Sequence, residues 1–342
     1  MKFVIPKNEG GSGCDTIAYI LALKAIAKVD AGIAVAMAVS NMVAESISRF
    51  GSDQMKKKYF PLIKSGECVP LAFALTEKNA GSDVKSIKAE AHIDTDDSSV
   101  YIINGEKQFI TNGDMAGALI LMAKTKLKNG TEGISAFLID GDNPAINVVK
   151  QEKKMGLLTA NLVDLKFENL RVPVSNLLGD EGQGLKIALS SLDGGRIGVA
   201  AQSIGISEAA FEAALRFSKE RHQFGHAISE NQAIAFKLAD MRVKLSASKL
   251  LAYKAGWLKD QGESYFEEAS EAKLFCSEAC TQITNDALQI HGGYGYIKDY
   301  SVEKYFRDGR VTTLYEGTSE IQRLIIARQI LADVFQTDDL VL

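Results

Sequence analysis

The sequence predicts an α+β protein of several domains, in which a β-domain lies between two helical regions. Two changes in the spacing of apolar residues support this prediction. Residues 15–66 and the residues after Pro173 follow the repeat of a helix, whereas apolar and polar residues alternate between them, as in strands. We expect an N-terminal helical domain at 1–68, a middle antiparallel β-barrel domain at 69–176 and a C-terminal four-helix bundle at 177–342.

The composition is that of a large globular protein. The 342 residues are 46% hydrophobic, which is enough for two or three domains. The net charge is −4, which argues against nucleic acid or an anionic membrane as a partner. Lys24, Lys28 and Asp30 interrupt the apolar stretch from Ala18 to Ser40, so we do not expect it to span a bilayer. With no signal-peptide pattern, the chain is expected to be cytoplasmic.

The first helices are predicted between residues 15 and 50, and Gly51-Ser52 begins a further short helix that ends near Gly66. In the middle region, Val163, Leu165 and Phe167 alternate with charged residues, as does the stretch from Ile87 to Ile93. Such alternation is typical of half-buried strands. Two Asn-Gly pairs, at 104–105 and 129–130, predict hairpin turns.

The C-terminal region is predicted to consist of long helices. One apolar stripe runs from Ala272 through Cys276 to Ile290 in steps of three and four, and similar stripes cover 185–217 and 231–258. Cys276 and Cys280 lie four residues apart on this helix, where buried free thiols are the simpler interpretation than a metal site. The four histidines lack ligand spacing, so no metal site is expected.

Glu316 is the first candidate for a catalytic residue. It stands between an aromatic residue and a glycine, two residues before a helix that Thr318 or Ser319 can cap. A partly desolvated glutamate has a raised pKa, which suits a base that removes a weakly acidic C–H proton. The alternative is an exposed loop glutamate ahead of an ordinary capped helix.

Three glycine-containing segments permit more than one interpretation. Residues 179–184 predict the turn into the helical bundle, because the βαβ context of a dinucleotide fingerprint is missing. Gly292-Gly293 predicts a helix end. The loop 76–83 offers hydroxyl and N–H groups to flavin edges or phosphate oxygens, although a plain polar loop would look similar.

Taken together, these segments resemble one enzyme family, the acyl-CoA dehydrogenases, and the resemblance extends from about Ile5 to Leu331. Within this family, the chain is similar in particular to the short-chain members that resemble butyryl-CoA dehydrogenase. The motifs that carry the resemblance occur in the order of the family: Leu-Thr-Glu at 75–77 with Gly-Ser-Asp at 81–83, Phe-Ile-Thr-Asn-Gly at 109–113, Leu-Asp-Gly-Gly-Arg at 192–196, Arg-His-Gln-Phe-Gly at 221–225, Gln-Ile-His-Gly-Gly at 289–293, and Tyr-Glu-Gly-Thr at 315–318.

The resemblance implies an oxidoreductase that acts on a CH–CH bond. Glu316 would remove the pro-R α-proton of an acyl-CoA thioester, and N5 of FAD would accept the β-hydride, leaving a trans-2-enoyl-CoA. The Glu316 N–H would stabilise the thioester oxygen. Some relatives carry the base at the position of Gly195 instead. The substrate-binding residues implied are Ser82, Asp193, Arg196, Glu316 and Gly317, with Arg196 near the adenine end of CoA.

The resemblance also implies two sets of FAD contacts. One set would come from the subunit that holds the flavin ring: Phe73, Leu75, Thr76, Gly81, Ser82, Phe109, Ile110, Thr111, Thr318, Ser319 and Glu320. The other would come from a neighbouring subunit: Arg221, Gln223, Phe224, Gln232, Gln289, Ile290, His291, Gly292 and Gly293. A homotetramer, arranged as a dimer of dimers, and electron transfer to an electron-transfer flavoprotein are implied as well.

Two alternative functions remain open, and the first follows from where the match begins. The match opens at Val4-Ile5-Pro6, so roughly two to three helices that relatives carry before this point are expected to be missing. Their loss would expose apolar surface near Leu21, Leu23 and Ile26. The first alternative function is therefore a truncated, non-catalytic homologue that acts as a binding protein or subunit. The second alternative function is DNA binding by a protein of this fold, which the net charge of −4 disfavours.

Overall fold

The computed structural model describes residues 4–127 and 130–331. In these residues the chain forms three helices, a mixed sheet and five further helices. The helices are α1 (Thr16–Val29), α2 (Ala31–Phe50), α3 (Asp53–Ser65), α4 (Gly184–Glu220), α5 (Gln232–Gln261), α6 (Phe266–His291), α7 (Val302–Arg310) and α8 (Ser319–Ile330).

The strands between α3 and α4 form one eight-stranded sheet. They are β1 (Leu71–Ala74), β2 (Glu90–Ile93), β3 (Val100–Thr111), β4 (Ala118–Lys126), β5 (Glu132–Asp140), β6 (Ile146–Gln151), β7 (Leu162–Pro173) and β8 (Leu177–Leu178). The order is β6-β7-β3-β2-β4-β5-β8, and β1 pairs with β4. A two-stranded hairpin of β9 (His222–Gln223) and β10 (His226–Ala227) lies between α4 and α5.

Capping side chains fix where the helices begin. Asp15 accepts a hydrogen bond from the Ala18 N–H at 2.7 Å and starts α1. Asp30 ends α1 and starts α2, because its Oδ1 accepts from the N–H groups of Gly32 and Ile33. Such caps satisfy N–H groups that the first turn of a helix leaves without a partner. The boundary between α1 and α2 is therefore encoded by one aspartate.

Strand β4 is buried on both faces, which explains its unbroken apolar run. Ala118, Ile120 and Met122 face a core shared with α2 and α3. Leu119 and Leu121 face the opposite core, formed with β3, β5 and β7. Because successive side chains point to opposite faces of a sheet, a strand between two cores is apolar throughout.

The predicted fold class is confirmed: helices, a middle β-domain and a C-terminal helical domain follow in that order. Most strand pairs are antiparallel, but β4 runs parallel to both β1 and β2. Strand β8 continues the sheet to Leu178. The domain boundaries at 68 and 176 remain predictions.

One predicted hairpin turn is wrong. Asn104-Gly105 lies inside β3, at an irregularity in the pairing with β7. Gly105 has a φ of 151°, and a Cβ there would lie 2.6 Å from the Cβ of Ala89. This glycine allows a close approach of the segment before β2. Of the alternating stretch 87–93, only Glu90–Ile93 is a strand.

The other hairpin prediction concerns the connection between β4 and β5. These strands are antiparallel, from the pair Ala118–Asp140 to the pair Lys126–Glu132. The Gly130 N–H donates to the Leu127 carbonyl at 2.8 Å, and the φ of Gly130 is 84°, as the turn requires. Asn129 itself lies outside the described residues.

The long C-terminal helices follow the predicted apolar stripes. Cys276 and Cys280 are buried and free, and burial raises the pKa of each thiol to about 12. In the described residues, no group of His, Cys, Asp or Glu has the arrangement of a metal site.

The N-terminal helices contribute to the core but keep some apolar surface. Leu23 is fully buried against α4, whereas Leu21 and Val29 are exposed, so the expectation of exposed apolar surface holds for only part of α1. Among the described residues, α2 is long and apolar enough to cross a membrane, judged by length and composition alone. Because most of it is buried against the sheet and α4, it has the pattern of a core helix.

A buried ion pair joins the loop after β1 to β3. Lys107 Nζ donates to Glu77 Oε1 at 2.7 Å and to the Leu75 carbonyl at 3.0 Å. Burial lowers the pKa of Lys107 to about 8, and the Glu77 carboxylate opposes this shift. Glu77 also accepts from the N–H groups of Lys88 and Ala89. The pair fixes the course of the loop 75–89.

We expect Glu77→Gln or Lys107→Met to destabilise the protein by roughly 3–5 kcal/mol, because each leaves a buried charge without its partner. The midpoint of chemical denaturation is the measurement. The double variant should recover part of the loss. Lys166→Met removes the exposed pair with Glu168 on β7 and serves as the control. An unchanged midpoint in both single variants would contradict this account.

Candidate active site

Glu316 stands at a strained point of the backbone just before α8. Its φ is 55° and that of the following Gly317 is 84°. A non-glycine residue with a left-handed backbone is uncommon, and such residues cluster at functional sites. Its side chain is partly buried, and Oε2 is fully buried with no hydrogen-bond partner in the described part of the chain. One carboxylate oxygen is therefore held out of water and unpaired.

The neighbouring helices hold this turn through its carbonyl groups. Lys273 on α6 donates to the Gly317 carbonyl at 2.6 Å. Gln322 on α8 donates from Nε2 to the carbonyls of Glu316 and Gly317, at 3.1 and 3.0 Å. Because both side chains are fully buried, these bonds are shielded from water. They position the backbone that carries Glu316.

The carboxylate lies directly against a glycine of α4. A Cβ at Gly195 would lie 2.6 Å from Glu316 Oε2 and 2.9 Å from its Cδ, closer than atoms can approach. Glycine at this position therefore makes the space for the carboxylate. The same geometry shows that the two positions at which relatives were expected to carry the base are adjacent in space.

Burial dominates the electrostatics of Glu316. It raises the pKa of Glu316 to about 7, while the charges of Arg196 and Lys273 act in the opposite direction. Burial also lowers the pKa of Lys273 to about 8, and the Glu316 charge opposes that shift. A base works best when its pKa is close to the working pH, so this environment suits proton abstraction near neutrality.

Arg196 is a structural neighbour of the carboxylate. It is buried, donates to Asp193 Oδ1 at 2.8 Å and lies over the ring of Phe266. Burial raises the pKa of the Asp193 carboxyl, and the Arg196 charge opposes this shift. The Arg196 guanidinium is buried and feels the Glu316 charge, and its contact with the adenine end of CoA remains a prediction.

A second group of predicted residues lies on the β-domain. The Thr76 carbonyl accepts from the Gln108 N–H at 2.8 Å, which places the loop after β1 beside the end of β3. Phe109 has a φ of 59° and is 52% exposed, so its ring is available to a ligand. Thr76, Thr111 and Phe73 are partly exposed, and Gly81 and Ser82 are exposed. The side chains of Leu75 and Ile110 are buried in the cores, which leaves only their backbone groups.

Helix α2 connects the β-domain residues to Glu316. Asn112, at the end of β3, donates to the Ala36 carbonyl at 3.1 Å and to the Leu71 carbonyl at 2.9 Å. Gln202 on α4 donates to the Ala31 carbonyl at 2.8 Å and accepts from the Tyr315 hydroxyl. Ala31 and Ala36 are five residues apart on one helix, about 7.5 Å along its axis. The end of β3 and the Gln202–Tyr315 pair beside Glu316 are therefore fixed to the same short segment of α2.

The residues at the start of α8 form a cavity wall. Thr318 caps the helix by accepting from the Ile321 N–H at 3.3 Å. Ser319 is buried, and its Oγ has no partner in the described residues. Ser319 and Glu320 line a cavity together with Arg310 and Thr313. A helix N-terminus with an unpartnered hydroxyl fits an anionic group.

The remaining predicted residues are gathered at the far end of α6. A second cavity lies there, and the residues that line it include Arg221, Gln223, Ile290, His291, Gly292 and Gly293. His291 stacks on Phe217 at 4.2 Å. Phe224 is 96% exposed, and Gln232 and Gln289 are exposed as well. His291 is 18 residues from Lys273, roughly 27 Å along the helix, so the cavity is remote from Glu316 of the same chain.

Sequence reasoning missed three residues of the site. Lys273, Gln322 and Gln202 are fully or nearly fully buried and contact the Glu316 turn or its neighbour Tyr315. The available signal was the helical spacing of polar residues within apolar stripes, since Lys273 shares the buried face of Cys276 and Cys280. A buried lysine in such a stripe requires a partner.

Lys273→Met should raise the pKa of Glu316 above 7, because it removes a nearby positive charge. The measurement is the pH titration of 13C-labelled glutamate by NMR, with the Glu316 resonance assigned through Glu316→Gln. Arg323→Met removes an exposed cation from α8 and is the matched control, which should leave the pKa near 7. An unchanged or lower pKa in Lys273→Met would contradict the assigned electrostatics.

Comparison with known protein families identifies three matching regions. Residues 182–331 match the model for the acyl-CoA dehydrogenase C-terminal domain. Residues 72–170 match the middle-domain model, and residues 1–67 match the N-terminal-domain model. The matched regions correspond to the helices, the sheet and the C-terminal helices described above.

Individual proteins show the same relationship. An acyl-CoA dehydrogenase of Bacillus subtilis (strain 168) is 45% identical over 332 residues, which are 97% of this chain and 86% of that protein. The CarC subunit of a caffeyl-CoA reductase–Etf complex from Acetobacterium woodii is 42% identical over 96% of this chain and 86% of its own length. The structure of butyryl-CoA dehydrogenase from Megasphaera elsdenii superposes with a TM-score of 0.92 at 40% identity, covering 96% of this chain and 86% of that one.

Matches over all three regions, a relative of 45% identity and the shared fold lead to one conclusion: this chain belongs to the acyl-CoA dehydrogenase family.

Proposed function

We propose that this protein catalyses the FAD-dependent α,β-dehydrogenation of a short-chain, straight or branched, acyl-CoA to a trans-2-enoyl-CoA. The observation that carries the proposal is the buried, unpaired Oε2 of Glu316, a carboxyl group whose pKa burial raises to about 7. Family membership supports FAD as the cofactor. The relative whose name includes butyryl-CoA supports the short acyl chain.

The residues present fit a bound FAD. Phe109 offers an exposed aromatic face beside Thr76 and Thr111, and the unpartnered Ser319 Oγ lies at the start of α8. At Gly292 and Gly293, open space surrounds the backbone where side chains would stand. When bound, FAD supplies the acceptor for the hydride that leaves the β-carbon. The cavity of Arg221 and His291 would hold FAD of a neighbouring subunit.

Glu316 performs the proton transfer in this proposal. In its ionised form the carboxylate removes the α-proton, and the proton moves to a carboxylate oxygen that has no competing partner. The Glu316 N–H stabilises the charge that develops on the thioester oxygen. Because the carboxylate must be ionised to act, kcat/KM should rise with pH through about 7.

Glu316→Gln should retain flavin and acyl-CoA binding but lose turnover by several orders of magnitude, because the amide cannot accept the proton. Turnover of butyryl-CoA with an artificial electron acceptor is the measurement. Glu168→Gln changes an exposed carboxylate on β7 and is the matched control, which should remain active. Wild-type turnover in Glu316→Gln would remove Glu316 from its role.

The contact with Gly195 allows a relocation test. Gly195→Glu together with Glu316→Gly moves the carboxylate from the turn to α4 while it stays in the same space. We expect this double variant to recover part of the activity that Glu316→Gly loses. Gly195→Glu alone should be impaired, because two side chains compete for one site. Equal activity of the double variant and Glu316→Gly would show that the position, and not only the carboxylate, is required.

Self-association and an electron acceptor complete the proposal. Four apolar residues of α5 are spaced by seven and therefore lie on one helix face: Phe236, Val243, Leu250 and Trp257. Between 56% and 71% of each is exposed. An exposed stripe of this kind marks an interface, which supports a homotetramer formed as a dimer of dimers. The CarC relative, a subunit of a reductase–Etf complex, supports an electron-transfer flavoprotein as the electron acceptor. A cytoplasmic location is part of the proposal as well.

Leu250→Glu combined with Phe236→Glu should shift the protein to smaller assemblies, because it places charges within the stripe. Light scattering coupled to size-exclusion chromatography measures the mass. Val149→Glu on the exposed strand β6 is the matched control and should leave the mass unchanged. A wild-type mass in the α5 variant would exclude this face from the interface.

A further inference from the structure

A small cavity lies beside Gly195, the glycine of α4 that lies against the Glu316 carboxylate. Its walls come from four helices and include Tyr19, Asn41, Met42, Glu45, Gly195 and Lys259. Gly195 contacts both this cavity and the Glu316 carboxylate. The cavity is therefore within reach of an acyl chain whose α-carbon would lie at Glu316.

The inner end of this cavity contains an unpartnered amide. Asn41 is 1% exposed, and neither its Nδ2 nor its Oδ1 has a hydrogen-bond partner in the described residues. Leaving a buried amide unpaired is costly, so such a group normally has a partner. Asn41 lines the cavity together with Ala38, Met42 and Glu45. The helical spacing of these four residues places them on one face of α2. A ligand group in the cavity would supply the missing partner.

The charges around the amide select the kind of partner. Lys259 is 2.7 Å from Glu45 Oε1, and a Cβ at Gly194 would lie 3.2 Å from Lys259 Nζ and 3.4 Å from Glu45 Oε2. The cation is thus already neutralised within the cavity wall. The Glu45 and Glu316 charges both act on the Tyr19 hydroxyl, so Tyr19 lies within reach of both carboxylates. A second carboxylate on the ligand would be repelled by Glu45 and by Asp15, which also lines the cavity.

We propose that the acyl group of the substrate ends in a neutral hydrogen-bonding group, a hydroxyl or a carboxamide, which pairs with the Asn41 amide. Such an amide both donates and accepts, so it satisfies either group. The inference rests on the proposed acyl-CoA function and makes it more specific. Asn41 is the specificity-determining residue, and Glu316 performs the same proton transfer as in an unsubstituted thioester.

The test compares thioesters that differ only at the chain end. 4-Hydroxybutyryl-CoA is matched with valeryl-CoA, and 5-hydroxyvaleryl-CoA with hexanoyl-CoA, so that a terminal hydroxyl replaces a methyl group at constant length. Glutaryl-CoA adds a carboxylate. For each, kcat/KM and the calorimetric Kd are measured on the flavin-loaded protein. A site built to bind a hydroxyl discriminates against the methyl analogue, and we expect at least about tenfold in one of the two pairs.

Asn41→Leu should abolish or reverse this preference, because it replaces the amide with an apolar group of similar size. Met42→Leu, an apolar change on the same cavity wall, is the matched control and should keep it. A methyl preference in both pairs of the wild-type protein, or tighter binding of glutaryl-CoA, would overturn the inference. The wild-type ratios test it even if Asn41→Leu does not fold.

The two levels of the proposal fail in different ways. If butyryl-CoA is oxidised but hydroxyl-tipped thioesters are not preferred, the proposed function stands and the inference is wrong. If no thioester is oxidised, the ratio of calorimetric Kd values still decides whether the cavity prefers the hydroxyl.

Discussion

The structure around Glu316 depends on one constraint, which is that one oxygen of its carboxylate is kept out of water without a direct partner. Burial of this group is unfavourable, and the surrounding chain has to stabilise the turn that carries it. Lys273 and Gln322 do so through the backbone carbonyls, leaving Glu316 Oε2 unpaired. Gly195 supplies the space, since any side chain there would collide with the carboxylate. The left-handed backbone of Glu316 is the strain that this arrangement retains.

The same constraint explains the architecture around the site. Helices α4, α6 and α8 meet at the turn that carries Glu316. Helix α2 connects this centre to the end of β3 through Ala31 and Ala36. The ion pair of Lys107 and Glu77 then fixes the loop that carries Thr76 beside Phe109. A flavin placed between these elements would contact residues that are far apart in sequence but rigidly connected. The cavity beside Gly195 is where we propose that the end of the acyl chain binds.

Sequence alone was sufficient for the order of the elements, because periodicity is a local signal. The helix cap and the neighbours of Glu316 left a base and an ordinary loop glutamate both open, and the family resemblance favoured the base. The hairpin prediction failed at Asn104-Gly105. The glycine is needed there for a close contact with Ala89, but the Asn-Gly pair is also the usual sequence of a hairpin turn. The burial of the Arg196 guanidinium was not evident from the sequence either, since it depends on contacts between helices. Lys273 and Asn41 were missed for one physical reason. Their importance lies in what they contact across helices, and helical spacing does not report such contacts.

The central claim is that Glu316 and a bound flavin form a working dehydrogenation site in this chain. The most direct measurement is the visible spectrum of the purified protein, followed by anaerobic addition of butyryl-CoA. The account predicts a flavin absorption band that bleaches when the thioester is added, because the α-proton passes to Glu316 as the flavin is reduced. A protein that stays colourless after addition of FAD, or a flavin band that no acyl-CoA bleaches, would contradict it and support a non-catalytic member of the family.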